Sequence, residues 1–320
     1  MRLDIHYRTR FAYAGHVSES QNELRACPAI DDRQQLVHYD VRTTPSARVS
    51  WYLDYWGTRV DTFGIRLPHT TLEVVAEGTV DTVVPEAVEV HPRRAALTDP
   101  AFRDEHLELL QPSPHVALTA TIAEVAHRHA GQAADDVVAM AHAVHEGLSA
   151  LQYAPGATYV GVPVDEVLRA GGGVCQDFAH VAVAMYRSLG VPARYVSGYL
   201  FTGDDATGAD TDSDEVEVQT HAWVEVAVPG HGWYALDPTN RQRVSERHVT
   251  IGRGRDYDDV APLRGVFLGP PEHELEVDVR LRRLAVGAPA AAGIGREPSR
   301  ATLAARQRAQ QQQQQQQQQQ

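Results

Sequence analysis

The sequence predicts an α+β protein in which an N-terminal antiparallel β-sandwich precedes a domain of helices packed on an antiparallel sheet. Apolar and polar residues alternate along much of residues 1–92, which is the period of β-strands. From His115 the apolar residues recur at three- and four-residue spacing, which is the period of amphipathic helices. Alternation returns after Pro192, and strands followed by helices and more strands are typical of the α+β class.

The first alternating segment, residues 1–92, predicts a separate β domain. Its alternation is clearest between Ile5 and Tyr13, and turn residues interrupt it, for example at Asp54 to Thr58. Residues 93–114 are rich in charge and proline and lack a sustained period, so we expect a linker there.

Residues 115–285 predict the second domain, including its C-terminal strands. Two amphipathic helices are expected between His115 and Leu151, and a third follows three consecutive glycines and ends before Pro192. Strands are expected near residues 194–201, 221–228, 233–237 and 275–281. Residues 286–320, which end in the glutamine run 310–320, predict a disordered tail.

Charge and cysteine content exclude several classes of protein. The chain has 42 acidic residues against 29 basic ones, all of them arginine, for a net charge of −13. The arginines are not clustered as non-specific nucleic-acid binding requires. No stretch approaches the ~18 apolar residues of a membrane span, and no signal-peptide core is present, so we expect a cytoplasmic protein without membrane contact. Two cysteines cannot form a disulfide framework, so each is a buried or a reactive thiol.

A candidate nucleophile lies where the glycines lead into the third helix. Cys175 follows Gly171–Gly173 and Val174. A helix start carries unpaired N–H groups and partial positive charge, which favours a thiolate and offers the Cys175 N–H to an oxyanion. Glycines also let a substrate backbone approach closely. A lone cysteine is more often a buried core thiol, and we assign that role to Cys27, which has no such surroundings.

A base and an orienting acid for this thiolate are predicted in two later strands. His221 lies in a strand whose opposite face is apolar, and Asp237 follows beyond a turn at Pro229 to Gly232. A hairpin loop of odd length would place His221 and Asp237 on one face as near neighbours. A loop of even length would place them on opposite faces.

Two further polar residues of the third helix receive structural interpretations. His180 lies five residues after Cys175, roughly 140° round the helix, so it is poorly placed to face the thiol. Asp177 in the first turn suits the helix dipole.

Three segments in this order resemble the core of the bacterial transglutaminase-like family, relatives of the papain-type thiol enzymes: GGGVCQDFAHVAVAMYRSLGVPARYVSGYL, THAWVEV and GWYALDPTN. MRLDIHYRTRFAYAGHVSESQNELR and DYWGTRVDTFGI resemble the β domain that precedes this core, and GRGRDYDDVAPLRGVFLG resembles the segment after it. The resemblance implies a papain-like core with Cys175 as nucleophile, His221 as base and Asp237 as orienting acid. Tyr153 is a candidate second oxyanion donor. We expect no cofactor and no metal, since HExxH and paired-cysteine spacings are absent.

These residues predict an enzyme that takes acyl groups from peptide or glutamine side-chain amides through a thioester on Cys175. Water as acceptor makes it a peptidase or amidase, and an amine makes it a protein-glutamine acyltransferase. The sequence leaves both open. The alternative is a non-catalytic interaction module that retains the fold, against which the complete set of Cys175, His221 and Asp237 argues.

Two low-complexity segments bear on the substrate. Residues 203–217 hold seven acidic residues and no cation, and they either attract a cationic substrate to the cleft or form a solvated insertion. An EF-hand is rejected, because Glu215 stands where glycine is required. The glutamine run is either a disordered tail or an acyl donor, and the chain has no lysine to act as acceptor.

Overall fold

The chain begins with six strands that build most of the N-terminal β domain. The computed structural model describes residues 1–203 and 215–284. The strands are β1 (Arg2–Val17), β2 (Glu19–Leu24), β3 (Gln34–Thr44), β4 (Ser50–Leu53), β5 (Arg59–Ile65) and β6 (His69–Thr82). Buried and less buried residues alternate in β1 and β6, as in a strand with one face toward a core.

Helices follow, and the remaining strands come after them. The α-helices are α1 (Pro100–Glu105), α2 (Ala120–Ala130), α3 (Val137–Gly147), α4 (Val164–Ala170), α5 (Cys175–Ser188) and α6 (Tyr257–Val260). The later strands are β7 (Gln152–Tyr153), β8 (Gly172–Gly173), β9 (Ala193–Leu200), β10 (Glu215–Val218), β11 (Thr220–Val228), β12 (Gly232–Asp237), β13 (Gln242–Arg243), β14 (His248–Gly254), β15 (Leu263–Leu268) and β16 (His273–Leu284). Within the described ranges, no helix combines the length and apolar character needed to cross a membrane.

Two antiparallel sheets share one apolar core and form the N-terminal sandwich. Their strand orders are β10-β16-β1-β6-β3 and β15-β2-β5-β4. Leu3 and Val74 from the first sheet are buried in the same cluster as Leu24 and Phe63 from the second. The predicted α+β class with an N-terminal β-sandwich is confirmed.

The last two strands lie in the β domain, whereas residues 115–285 were expected to form one core with its own C-terminal strands. β16 pairs with β1 from Arg2↔Leu284 to Tyr13↔His273, and β15 pairs with β2. Val279 and Leu281 of β16 are buried in the sandwich core. The alternation of apolar and polar residues identifies β16 as a strand. It does not say which sheet the strand joins, because that depends on which sheet offers an unpaired edge in the folded chain.

The segment expected to be a linker, residues 93–114, is packed and partly helical. It contains α1 and two 3₁₀ helices, Arg94–Thr98 and Leu107–Leu110. Leu97 is buried in the core of the second domain. Helical pieces this short are too brief to show a helical period in the sequence. The predicted tail, 286–320, lies outside the described residues.

Helix α5 and a second five-stranded antiparallel sheet form the centre of the second domain. The sheet order is β13-β12-β11-β9-β14, and α5 packs against β11 and β9. Val224 and Val226 of β11 are buried with Phe178 and Val181 of α5. This contact fixes the N-terminal end of α5 beside the strands that carry His221 and Asp237.

The buried carboxylate of Glu225, on β11 of this sheet, links the two domains. Glu225 of β11 contacts Arg33 of the β domain, Arg194 Nη2 at 2.6 Å and Arg253 Nε at 2.9 Å. Burial alone would raise the pKa of Glu225, but the three arginines hold it well below its usual value. The charged cluster therefore ties β11 to the β domain.

Candidate active site

Cys175 is the first residue of α5, as predicted. The side chain of Asp177, two residues further along the helix, caps the helix start. The Asp177 carboxylate accepts the Val174 N–H at 2.8 Å and the Thr158 hydroxyl at 2.5 Å. This is one half of a capping box, because the Val174 side chain has no acceptor for the reciprocal bond. The thiol therefore lies at the positive end of a helix of 14 residues.

The three glycines before Cys175 serve the packing of the chain itself. Gly171 has φ +72° and ends α4 in the left-handed conformation. A Cβ on Gly172 would lie 2.4 Å from the Gln152 carbonyl oxygen, and one on Gly173 would lie 2.5 Å from Asp177 Oδ2. The sequence predicted that these glycines let a substrate backbone approach, whereas their close contacts in the structure are with the chain itself.

His221 and Asp237 lie on one face of the second sheet. β11 and β12 pair from Val224↔Leu236 to Val228↔Gly232, so the hairpin loop has three residues. The predicted consequence of an odd-length loop is confirmed, because His221 Nε2 lies 2.8 Å from Asp237 Oδ2. β12 ends at Asp237, directly before Pro238, which has no backbone N–H to donate to a neighbouring strand.

The thiol of Cys175 meets the same imidazole. Cys175 Sγ lies 3.9 Å from the carbonyl oxygen of Thr220, the residue before His221, and the thiol is near enough to the His221 ring to raise the pKa of that ring. Since Nε2 of His221 faces Asp237, Nδ1 is the nitrogen left for sulfur. The three predicted side chains thus lie together, with the imidazole between the thiol and the carboxylate.

Burial and hydrogen bonding determine the charges of His221 and Asp237. Burial opposes a charge on His221, but the hydrogen bonds to Asp237 and Cys175 outweigh it and raise the pKa of His221 to about 10. Burial would likewise raise the pKa of Asp237, yet hydrogen bonds from His221, His248 and Asn240 hold it far below its usual value. At neutral pH the arrangement therefore favours an imidazolium beside a carboxylate.

The turn after β12 adds donors to Asp237. The N–H groups of Thr239 and Asn240 donate to Oδ1 at 3.1 Å each, and the Asn240 side-chain amide donates to Oδ2 at 2.8 Å. Asp-Pro-Thr-Asn is a turn sequence in which an Asp side chain accepts from the following backbone. That signal could have identified Asn240 as a second contact of Asp237, a role that sequence reasoning did not assign.

His248 also contacts Asp237 and was missed from the sequence. It begins β14, eleven residues after Asp237, and its Nε2 lies 3.1 Å from Asp237 Oδ2. β14 pairs with β9 rather than with β12, so the two residues are not on adjacent strands. No spacing rule in the sequence links the two residues, and nothing in the sequence distinguishes His248 from the other histidines among the 16 in the chain.

Two residues set aside in the sequence have structural surroundings. His180 is buried, stacks on His115 with ring centroids 5.3 Å apart, and accepts the Tyr257 N–H at 3.2 Å. Burial lowers the pKa of His180, so its ring is neutral. Cys27 is buried in the β domain, and burial raises its pKa to about 12. Their structural interpretation is confirmed.

Tyr153 lies beside the site without a defined task. It is 54% exposed and pairs with Gly173 through β7 and β8. Burial of part of the ring and the charge of Cys175 both raise the pKa of Tyr153, so its hydroxyl keeps its proton for donation. Its role as an oxyanion donor stays a prediction.

The acidic stretch is only partly within the described residues. Residues 204–214 lie outside them, and residues 215–218 form β10. β10 pairs with β16, which sets Glu215 opposite Arg282 and Glu217 opposite Arg280. These last two acids of the stretch therefore face arginines of the β domain, so they contribute less to attraction of a cationic substrate than the sequence suggested.

Two groups of side chains in the described residues have the spacing of metal ligands. One ligand atom from each of His221, Asp237 and His248 lies within 4.8 Å of the others, as is also true of His115, Asp256 and Asp258. In the first group the same atoms are already joined by hydrogen bonds. The absence of a metal stays a prediction.

Family profiles match both domains. That of the transglutaminase-like superfamily matches residues 121–238, which extend from α2 to just past Asp237. That of the bacterial transglutaminase-like N-terminal region matches residues 3–81, which form the first sandwich strands.

Individual proteins agree with these profiles. An uncharacterized protein of Mycobacterium leprae is 37% identical over 287 residues, 89% of this chain and 99% of the relative. A protein-glutamine gamma-glutamyltransferase of Pseudomonas aeruginosa is 36% identical over 67 residues, 21% of this chain and 10% of that protein. The crystal structure of a "Putative Cysteine Protease" from Cytophaga hutchinsonii is 21% identical and has a TM-score of 0.65, with 87% of this chain and 90% of that chain covered. This last likeness shows the fold.

Proposed function

Because the chain belongs to the bacterial transglutaminase-like family, we propose that it is a thiol enzyme that removes acyl groups from amides through a thioester on Cys175. The observation that carries the proposal is the convergence of three side chains: His221 Nε2 lies 2.8 Å from Asp237 Oδ2, and Cys175 Sγ lies 3.9 Å from the carbonyl oxygen of Thr220, the residue before His221. The helix start and the raised pKa of His221 both favour a thiolate and imidazolium pair over two neutral groups. A fold that served only to bind a partner would not need these charges.

The reaction follows from the positions of these atoms. The thiolate attacks the amide carbonyl carbon, and the oxyanion forms near the N-terminal end of α5, where the Cys175 N–H is a candidate donor. When the intermediate collapses, the carbon–nitrogen bond breaks and His221 donates its proton to the leaving amine. A thioester remains on Cys175. The neutral imidazole then accepts a proton from water or from an acceptor amine as that nucleophile attacks the thioester.

Two acceptors remain within the proposal. The name of the P. aeruginosa relative supports transfer to an amine, and the description of the C. hutchinsonii protein supports hydrolysis. Both begin with the same thioester, so the acyl donor is proposed as a peptide amide or a glutamine side chain. A cytoplasmic location and a cationic substrate also stay predictions.

The test separates the shared first step from the two outcomes. Purified full-length protein is incubated with N,N-dimethylcasein and a fluorescent cadaverine, with ammonia release measured in parallel without the amine. Incorporation indicates a transferase, ammonia release or cleavage without incorporation indicates a hydrolase, and both activities should be lost in Cys175→Ala but kept in Cys27→Ala. Intact mass spectrometry after acid quench should show the acyl adduct on Cys175. The alternative of a non-catalytic module is favoured if no peptide of a wider library acylates Cys175 and if iodoacetamide also fails to modify it.

A further inference from the structure

A second histidine holds the carboxylate of the candidate site. The side chain of His248 is fully buried, and its Nε2 lies 3.1 Å from Asp237 Oδ2. That oxygen is the same one that lies 2.8 Å from His221 Nε2. Asp237 is therefore held between two imidazoles that come from different strands, β11 and β14.

The hydrogen bond on the other side of the ring determines where His248 carries its proton. The backbone N–H of Ser245 donates to His248 Nδ1 at 3.1 Å. A backbone N–H can only donate, so Nδ1 is an acceptor and the neutral ring has its proton on Nε2. His248 therefore donates to Asp237, and this direction does not depend on His221.

The surroundings keep this donor uncharged. Burial lowers the pKa of His248, and the positive charge of His221 acts in the same direction, against the attraction of Asp237. The ring also packs edge-on against Trp223, with centroids 5.3 Å apart. His248 thus supplies a rigid donor to the carboxylate without a second cation beside the imidazolium of His221.

We propose that His248 is a positioning residue, whose neutral Nε2–H fixes the orientation of Asp237 toward His221. The inference rests on the proposed acyl-transfer function and deepens it. Asn240 approaches the same oxygen from the turn after β12, while His248 approaches from β14. Asn240 therefore holds the carboxylate from within its own turn and His248 holds it from outside, and the His221 ring keeps Nδ1 toward the thiol.

The test uses a reaction that needs no knowledge of the natural substrate. The rate of iodoacetamide alkylation at Cys175 is measured from pH 6 to pH 9 by intact mass, in a Cys27→Ala background. His248→Phe removes the donor but keeps a ring. His248→Gln keeps a side-chain N–H at the same number of bonds from Cβ. His127→Phe and His127→Gln, on the exposed face of α2, are the matched controls.

We expect His248→Phe to lower the alkylation rate at pH 6 by about tenfold, the factor that corresponds to about 1.4 kcal/mol. The alkylation rate of this variant should then rise steeply with pH, because a thiol without an imidazolium partner becomes the reactive thiolate only as the pH increases. His248→Gln should recover most of the wild-type rate and a flat profile, and both His127 variants should match wild type. A role limited to packing would lower the melting temperature without changing this pH profile.

Three results would overturn the inference. One is a wild-type rate and profile in folded His248→Phe. Another is an equal loss in folded His248→Gln and His248→Phe, since only one of them lacks the donor. The third, which requires no variant, is an NMR ¹⁵N spectrum of wild-type His248 that shows the proton on Nδ1. If instead wild-type Cys175 reacts no faster than an ordinary thiol, the proposed function fails, and the tautomer measurement still reports separately on His248.

Discussion

His221 Nε2 and Asp237 Oδ2 are joined by a 2.8 Å hydrogen bond across a three-residue hairpin loop. Burial of His221 alone would disfavour its charged form, yet its contacts with Asp237 and Cys175 raise its pKa to about 10. The imidazolium therefore persists through neutral pH, beside the sulfur that it would stabilise as a thiolate.

The first prediction concerns selective alkylation of the two cysteines. At about pH 6, iodoacetamide should modify Cys175 at least about 100-fold faster than Cys27, because burial raises the pKa of Cys27 to about 12. The rate at Cys175 should stay nearly flat until the pH approaches the His221 pKa of about 10. Peptide mapping by mass spectrometry measures both sites at once. Equal, slow labelling of both cysteines would contradict the prediction.

The second prediction concerns Asp237→Asn. The amide cannot stabilise the imidazolium of His221 as the carboxylate does, so turnover should fall by about 10³- to 10⁴-fold with little change in KM. Asp237 has a lowered pKa in the folded protein, so its contribution to stability is present above its unfolded pKa near 3.8 and is lost as the pH falls below it. Asp104→Asn, an exposed carboxylate of α1, is the control, and equal activity of the two variants would refute the assignment.

The third prediction concerns the loop before the thiol. A Cβ at position 173 would lie 2.5 Å from Asp177 Oδ2 and 2.9 Å from its Cβ, so Gly173→Ala must displace the carboxylate that closes the first turn of α5. We expect a loss of about 1–3 kcal/mol in the free energy of unfolding and slower alkylation of Cys175. Gly131→Ala, at a right-handed helix end, should change neither by much. Unchanged stability and alkylation in Gly173→Ala would show that the turn tolerates the displacement.

The fourth prediction concerns the buried cluster that joins the domains. Glu225→Gln leaves Arg33, Arg194 and Arg253 around an uncharged group and should cost about 3–5 kcal/mol in the free energy of unfolding. The pKa of Glu225 is lowered in the folded state, so the cost should be complete above its unfolded value near 4.5 and shrink as the pH falls.

Urea denaturation at pH 7 and at pH 4 measures the effect of Glu225→Gln. Glu124→Gln removes an exposed ion pair with Arg128, and we expect it to cost less than about 1 kcal/mol. Similar losses in the two variants would mean that the arginines at Glu225 relax into solvent.

The parts of the site that could be predicted from the sequence depend on short-range order. Cys175 at a helix start follows from the residues just before and after it, and the shared face of His221 and Asp237 follows from an even separation across one hairpin. Periodicity and turn chemistry act over a few residues, so they can be recognised without the rest of the fold.

The parts that were wrong or missed depend on segments far apart in the chain. β16 was assigned to the second domain, but it pairs with β1, whose other edge pairs with β6. His248 resembles any other histidine in the sequence, and it reaches Asp237 only because the chain crosses from β13 to β14 between them.

By itself, the sequence determined the longer helices, several of the strands, and the thiol, imidazole and carboxylate of the candidate site. Tertiary structure decided which sheet received the last strands and which side chains surround Asp237. The physical reason is that local backbone preferences are encoded over a few neighbours, whereas edge pairing and buried hydrogen bonds are selected only when distant segments compete for the same partners.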